Sequence, residues 1–291
     1  ALTGGSITIS NVAFADDQTG ITLTADASGL TQGVSNTFDI LLVTFPANSY
    51  RTLTAGTWEN SGSTSTWERF VSNVWGPSSR PLLATTDFVY ITKAITTSAS
   101  TASNVVIQSG GTLTYGTGTC AGSMLVETGG TLQLNGAMVF TGATVTVESG
   151  GTFNVNYATA SGITTLWGGT EDFQAGSTVN IQNWNYGAGS GANRLIQNPS
   201  IIATNAAGYY FGNLTISGAP SAIFVVVEGG QTNVKICENN FTASNSAQVV
   251  AFGNSAGSAI IGGNVVGNST SSGSFAFSAS NGLYTTTING N

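Results

Sequence analysis

Three short stretches alternate apolar and polar residues in the same way: Thr112-Leu-Thr-Tyr115, Thr131-Leu-Gln-Leu134 and Thr152-Phe-Asn-Val155. A period of two is the mark of a half-buried strand. Each stretch follows a second apolar run and a pair of glycines, giving Val106-Ile-Gln-Ser-Gly-Gly-Thr-Leu113, Val126-Glu-Thr-Gly-Gly-Thr-Leu132 and Val147-Glu-Ser-Gly-Gly-Thr-Phe153. The pattern predicts strand, tight turn, strand, with Val106, Leu113, Leu132, Leu134, Phe153 and Val155 on the buried side. The threonine after the glycines falls at 112, 131 and 152, intervals of 19 and 21 residues. Self-similarity at that period predicts a solenoid, because one repeat cannot bury its apolar face alone and stacked repeats can.

Looser copies follow at Ala175-Gly-Ser-Thr-Val-Asn-Ile181, Asn213-Leu-Thr-Ile216, Asn233-Val-Lys-Ile236, Gly263-Asn-Val-Val266 and Thr287-Ile-Asn-Gly-Asn291. The expected architecture is all-β: a right-handed parallel β-helix from about residue 85, with loops inserted where the spacing stretches. Glycine at the corner supplies positive φ, so Gly129 is expected in the left-handed region. The sequons Asn213-Leu-Thr, Asn240-Phe-Thr and Asn268-Ser-Thr match a glycosylation pattern. They read more simply as asparagines at repeat corners, where Asn tolerates the left-handed conformation and stacks in ladders.

Composition narrows the functional classes. Charged residues make up 7% of the chain, against about 25% in ordinary soluble domains, and glycine contributes 39 of 291 residues. Solubility therefore rests on hydroxyls and amides. A net charge of −7 with six basic residues and no histidine argues against nucleic acid, which is bound by neutralising phosphates. No apolar run is long enough for a membrane span. Cys120 and Cys237 lie too many repeats apart for a disulfide and are expected as free, buried thiols. Without histidine or a CxxC pair zinc has no ligand set, and no cofactor is expected.

The first 43 residues lack the double-glycine phrase. They read as three strands: Ser6-Ile-Thr-Ile-Ser10 continuing through Val12-Ala-Phe14, Gly20-Ile-Thr-Leu-Thr-Ala25, and Ser35 to Val43, with Asp16, Asp17, Gln18 and Gly20 in the first turn. So few residues cannot form an independent core. The stretch from Asp17 to Ile40 resembles the closing strands of Ig-like repeats in long secreted proteins of the Bacteroidota. Ala55-Gly-Thr-Trp-Glu, Ser65-Thr-Trp-Glu68, Trp75-Gly-Pro and Thr86-Asp-Phe-Val-Tyr-Ile91 resemble the module those proteins place before a β-helix. The division expected is 1–43 as the end of an Ig-like β-sandwich repeat, 44–91 as a capping module and 92–291 as the β-helix. A start at Ala1 and a stop within a repeat suggest a piece of a longer polypeptide.

The resemblance implies export by the type IX secretion system, residence on the outer cell surface and a role as an adhesin or filament, in some relatives linked to gliding. Its implied partners are the secretion machinery and, beyond it, surface glycans or other cells.

Catalysis was sought because β-helices can host polysaccharide lyases and hydrolases, which need paired carboxylates or calcium held by clustered acids. The solenoid acids are Glu127, Glu148, Glu171, Asp172, Glu228 and Glu238. Glu171 and Asp172 are adjacent, so on a strand they face opposite ways. Glu127 and Glu148 hold the same place in successive repeats and could share a cation, with Gln108 occupying that place one repeat earlier. None of this amounts to a catalytic set, and the protein is expected to be non-enzymatic. Aromatic residues are the better binding candidates. Trp58, Trp67 and Trp75 are expected to fill the capping module, whereas Trp167, Trp184 and Tyr186 are the candidate glycan contacts. Two further readings compete with the stalk-like adhesin: a carbohydrate-binding or carbohydrate-cleaving β-helix, and exported cargo whose activity lies elsewhere in the chain.

Overall fold

The computed structural model describes residues 18–25, 31–40, 45–59, 66–81, 87–136, 138–141, 144–157, 170–184, 192–196, 204–216, 223–227, 234–243, 249–252, 257–261, 264–267, 278–279 and 284–288. Chain contacts separate two units, 1–46 and 47–291. In the first unit, Gln18–Ile21 pairs antiparallel with Phe38–Ile40, and Thr24–Ala25 pairs antiparallel with Gly33–Val34. Gln18 and Gly20, expected in a turn, belong to a strand instead, because Ile21 finds Phe38 as its partner and Gln18 finds Ile40. The expected strand at 6–14 lies outside the described residues.

The second unit is built from parallel ladders. One runs through Tyr50–Thr52, Phe88–Ile91, Asn104–Ile107, Met124–Val126, Thr144–Val147 and Thr170–Phe173. The other begins with Gly56–Thr57, Ala94–Thr97, Thr112–Tyr115, Thr131–Leu134, Thr152–Tyr157 and Thr178–Trp184. It continues through Tyr209–Ile216 and Val234–Ala243 to Tyr284–Ile288. From Phe88 to Trp184 the chain visits these two ladders alternately, with Gly118–Cys120 and Met138–Phe140 forming a separate parallel pair. Beyond Trp184, the second ladder alternates with a four-stranded parallel sheet of Ala192–Ile196, Ile223–Val227, Val249–Phe252 and Ser278–Ala279. Thr112, Thr131 and Thr152 stand in one register column, as the sequence spacing predicts.

Alternate residues of both ladders meet in one hydrophobic cluster that includes Ile91, Ile107, Leu113, Val126, Leu132, Leu134, Val147, Phe153, Val155 and Phe173. Within it Phe153, Phe173 and Phe211 stack nearly parallel, with successive centroids 5.9 and 5.5 Å apart. Val106 departs from expectation. Val105 and Ile107 face the cluster, and Val106 lies on the opposite face at 9% exposure, in register with Tyr90 and Leu125. Three consecutive apolar residues, Val105 to Ile107, hide the alternation, and only the register reveals which one turns outward.

The paired glycines have separate jobs. Gly110, Gly129, Gly150 and Gly176 all have φ between 77° and 81°, and the N–H of the following residue bonds back to Gln108, Glu127, Glu148 or Gln174 at 2.8–2.9 Å. This is the pattern of a type II turn, which requires positive φ at its third residue. The second glycine is needed for proximity. A Cβ on Gly111 would lie 2.0 Å from the Ile91 carbonyl oxygen, and one on Gly130 would lie 2.4 Å from that of Ile107. The corners are also stitched together. Gly110 N–H donates to Gly129 O, Gly129 to Gly150 and Gly150 to Gly176, each at 3.0 Å. The Gly176 N–H ends the series on Asn239 Oδ1 at 2.9 Å.

The N-terminal end of the first ladder carries an antiparallel hairpin, Trp67–Val71 with Val74–Ser78. Ser72 and Asn73 both have positive φ, as a two-residue type I′ turn demands. Trp58 and Trp67 are fully buried, edge to face with centroids 5.2 Å apart. They fill the core beside the first strands, as expected of a capping segment.

Substitutions at the second corner separate the two glycine roles. Gly129→Val should destabilise the fold by about 1–3 kcal/mol through its left-handed conformation. Gly130→Ala should be destabilising although alanine is the smallest change, because its methyl meets backbone. Chemical denaturation checks both, and an unchanged midpoint for Gly130→Ala would refute the close approach.

Candidate functional site

The outward residues of the two long ladders differ in chemistry. On the second ladder most are hydroxyls and amides, among them Thr112 and Thr114, Thr131 and Gln133, Thr152 and Asn154, Thr178 and Asn180, Asn213 and Thr215, Asn240 and Thr242. These bond to one another. Asn180 Nδ2 donates to Asn154 Oδ1 at 2.8 Å, and Asn240 Nδ2 to Asn213 Oδ1 at 2.8 Å, while Asn213 Nδ2 donates to the Ser177 carbonyl. The sequon asparagines 213 and 240 are thus members of a side-chain ladder. Asn268 lies outside the described residues.

The first ladder presents three outward columns. Phe88, Asn104, Ser123, Thr144 and Thr170 form one, and Tyr90, Val106, Leu125, Thr146 and Asp172 the next. Beside the turn stand Gln108, Glu127, Glu148 and Gln174. Glu127 and Glu148 are therefore neighbours, as their spacing predicts. Gln108 Nε2 donates to Glu127 Oε2 at 3.3 Å, so a neutral amide closes the end of the acid column. Among the described residues no group of three or more His, Cys, Asp or Glu side chains could hold a metal ion. Tyr90 has its hydroxyl pKa raised, first by burial and then by the Glu127 carboxylate.

Glu171 is fully buried on the core side of its strand, in register with Val145, and Asp172 faces outward. Asp172 shares a cavity of about 270 Å³ with Gln174, Asn205 and Glu238. Asn205 organises it. Its Nδ2 donates to Glu238 Oε2 at 3.0 Å and to the Phe173 carbonyl at 3.2 Å, and its Oδ1 accepts from the backbone N–H groups of Ala207 and Tyr209. Gln174 Nε2 lies 3.5 Å from Asp172 Oδ2. Nothing in the spacing of Asp172 and Glu238 shows that the residue 204–208 turn brings them to one cavity. Lys235 does not line the cavity but borders it: its ammonium donates to the carbonyl of the lining residue Ala207 and lies 5.1 Å from the Tyr209 ring.

Of the candidate glycan contacts, Trp167 and Tyr186 lie outside the described residues. Trp184 is placed by its backbone, in register with Tyr157. Trp75, expected in the core, is half-buried against Phe70, with the Arg51 guanidinium 4.5 Å above its ring and Arg51 Nε 2.6 Å from Glu68 Oε2. A scan against protein-family models, a search of curated proteins and a search of solved structures each gave no match for the chain.

Both cysteines are free and buried. Burial raises the pKa of each, and Cys120 Sγ also donates to the Gly122 carbonyl at 3.4 Å. A thiol reagent at neutral pH should label neither residue in the folded protein and both after denaturation; rapid labelling of the native state would refute their burial. Tyr115, also fully buried, shifts in the same direction, first through burial and then through Cys120. Groups with raised folded-state pKa values are protonated in both states at neutral pH, and the unfolded chain loses those protons first as pH rises. Stability should therefore fall progressively above about pH 8.5, where unfolded cysteine begins to ionise. Denaturation midpoints measured from pH 7 to 10 check the slope.

Proposed function

We propose that residues 92–291 wind as a right-handed parallel β-helix, and that the chain is a non-enzymatic stalk and display segment of a bacterial cell-surface adhesin or filament. The observation that supports this most is the parallel pairing of successive strands along the two long ladders. Backbone ladders link strand to strand, joined by glycine bonds at the corners from Gly110 to Gly176 and by the Asn154–Asn180 and Asn213–Asn240 pairs, which is how a stiff, quasi-one-dimensional support is made. Right-handed winding follows the strong preference of parallel crossover connections. The outer faces carry few charges, so reach and rigidity need no counter-ions. The resemblance of about residues 17–150 to Bacteroidota surface proteins is the ground for the rest of the reading: an Ig-like end for 1–43, a capping role for 44–91, type IX export and an outer-surface location. Trp167, Trp184 and Tyr186 remain its proposed glycan contacts.

The Asp172–Glu238 cavity favours a second reading, a polysaccharide-cleaving site, since two carboxylates around a cleft are what glycoside hydrolysis uses. Against it, both are held by neutral amides and the cavity is small.

Small-angle scattering separates a rod from a globule. The ten strands along the second ladder correspond to a stack of roughly 43 Å at the usual strand spacing. The profile should show an elongated particle at least that long; a compact sphere would overturn the stalk. The purified chain should release no reducing or unsaturated sugar ends from a polysaccharide panel. Release abolished by Asp172→Asn with Glu238→Gln would establish the enzymatic alternative. On intact cells of the source bacterium, externally added protease should remove the chain; full protection would count against surface display.

A further inference from the structure

The outward face of the first ladder differs in chemistry from the Thr- and Asn-rich columns of the second. Where the second ladder shows hydroxyls and amides from Thr112 to Asn180, the corresponding column here is Tyr90, Val106 and Leu125. Val106 is 9% exposed and Tyr90 and Leu125 are half-buried, so the column forms an apolar floor flanked by polar side chains, the make-up of a contact surface. Phe88, 38% exposed, extends the patch, and its ring lies nearly parallel to that of Tyr90, 22° apart in plane with centroids separated by 6.5 Å. Beside the apolar column run Asn104, Ser123 and Thr144, and the two columns enclose an open groove of about 350 Å³.

We propose that this groove binds a neutral glycan chain lying along the stacking direction, across the strands. Three features select that occupant. The lining combines flat apolar area with a flanking row of hydroxyl and amide groups, which matches sugar rings that present C–H faces and hydroxyl edges. Its side chains are all uncharged, and the neighbouring column contributes the carboxylates Glu127 and Glu148, so an acidic polysaccharide is repelled whereas a neutral one is not. The polar groups also recur once per strand, roughly every 4.8 Å, close to the repeat of an extended glycan. Four strands line the groove, a run of roughly 14 Å, enough for a short series of rings. An extended peptide fits less well. The backbone N–H and C=O groups of these strands are already committed within the ladder, so no edge is offered for strand addition.

The site is separate from Trp167, Trp184 and Tyr186 and does not rest on the stalk reading, which scattering tests independently. The test uses the full chain and isothermal titration with cellohexaose, mannohexaose, a chitosan hexamer and a polygalacturonate hexamer. At least one neutral hexamer should bind, and more tightly than its disaccharide, because the groove spans several rings. Ser123→Arg, at an exposed position, fills the groove and should weaken binding by at least about tenfold. Leu125→Glu places a charge mid-groove and should do the same. Thr114→Arg on the outer face of the second ladder should leave binding unchanged, with circular dichroism and melting confirming that each variant is folded. Several results would overturn the proposal: no heat from either neutral hexamer at millimolar concentration, preference for a charged one, indifference to Ser123→Arg in a folded variant, or a dimer in solution that Ser123→Arg dissociates.

Discussion

One close approach governs the second unit: the carbonyl that ends each first-ladder strand sits directly beneath the second glycine of the next repeat. Ile91 lies under Gly111, Ile107 under Gly130 and Val126 under Gly151, with room for hydrogen and not for a methyl group. The same carbonyls accept the N–H of Gln108, Glu127 and Glu148 at 2.9 Å. The corner thus fixes the distance between repeats at the value a parallel ladder needs. Once it is fixed, register follows on both sides of the turn. At the fourth corner Ser177 replaces the second glycine, and the pairing beyond it carries shifts, as between Phe211 and Asn213.

The corner also determines how the surface can be used. With backbone groups spent on neighbouring repeats and apolar residues alternating into one cluster, outward side chains are free of any folding role. Some bond laterally, as in the pairs Asn154 with Asn180 and Asn213 with Asn240. This makes a hydrophilic exterior without ions, in keeping with a chain that is only 7% charged. The Tyr90, Val106 and Leu125 column is where that economy is broken.

The N-terminal end shows how the ladder edge is handled. A stack of parallel strands would leave its first strand open to pairing with another chain. Here Tyr50–Thr52 turns the sheet antiparallel by pairing with Trp67–Val71, and the outermost strand, Val74–Ser78, carries Pro77, which offers no N–H. Trp58 and Trp67 fill the core beside it. Neither indole N–H meets an acceptor among the described residues, which shows that their contribution is volume rather than polar recognition.

The sequence alone determined the repeat, its turns and most of the core. The Gly-Gly phrases, the alternation around them and the threonines at 112, 131 and 152 are local signals, and positive φ at Gly129 follows from chain chemistry at one residue. Side-chain facing was legible at Leu113, Leu132, Leu134, Phe153 and Val155, where polar neighbours mark the period. At Val106 it was not, because an all-apolar run carries no phase. Only tertiary structure could decide that Val106 joins Tyr90 and Leu125 on one outward column, or that Asn205 draws Asp172 and Glu238 to one cavity. Those groupings join residues from different repeats, and their neighbourhood is set by ladder register and by the path of intervening loops, which no spacing along the chain encodes.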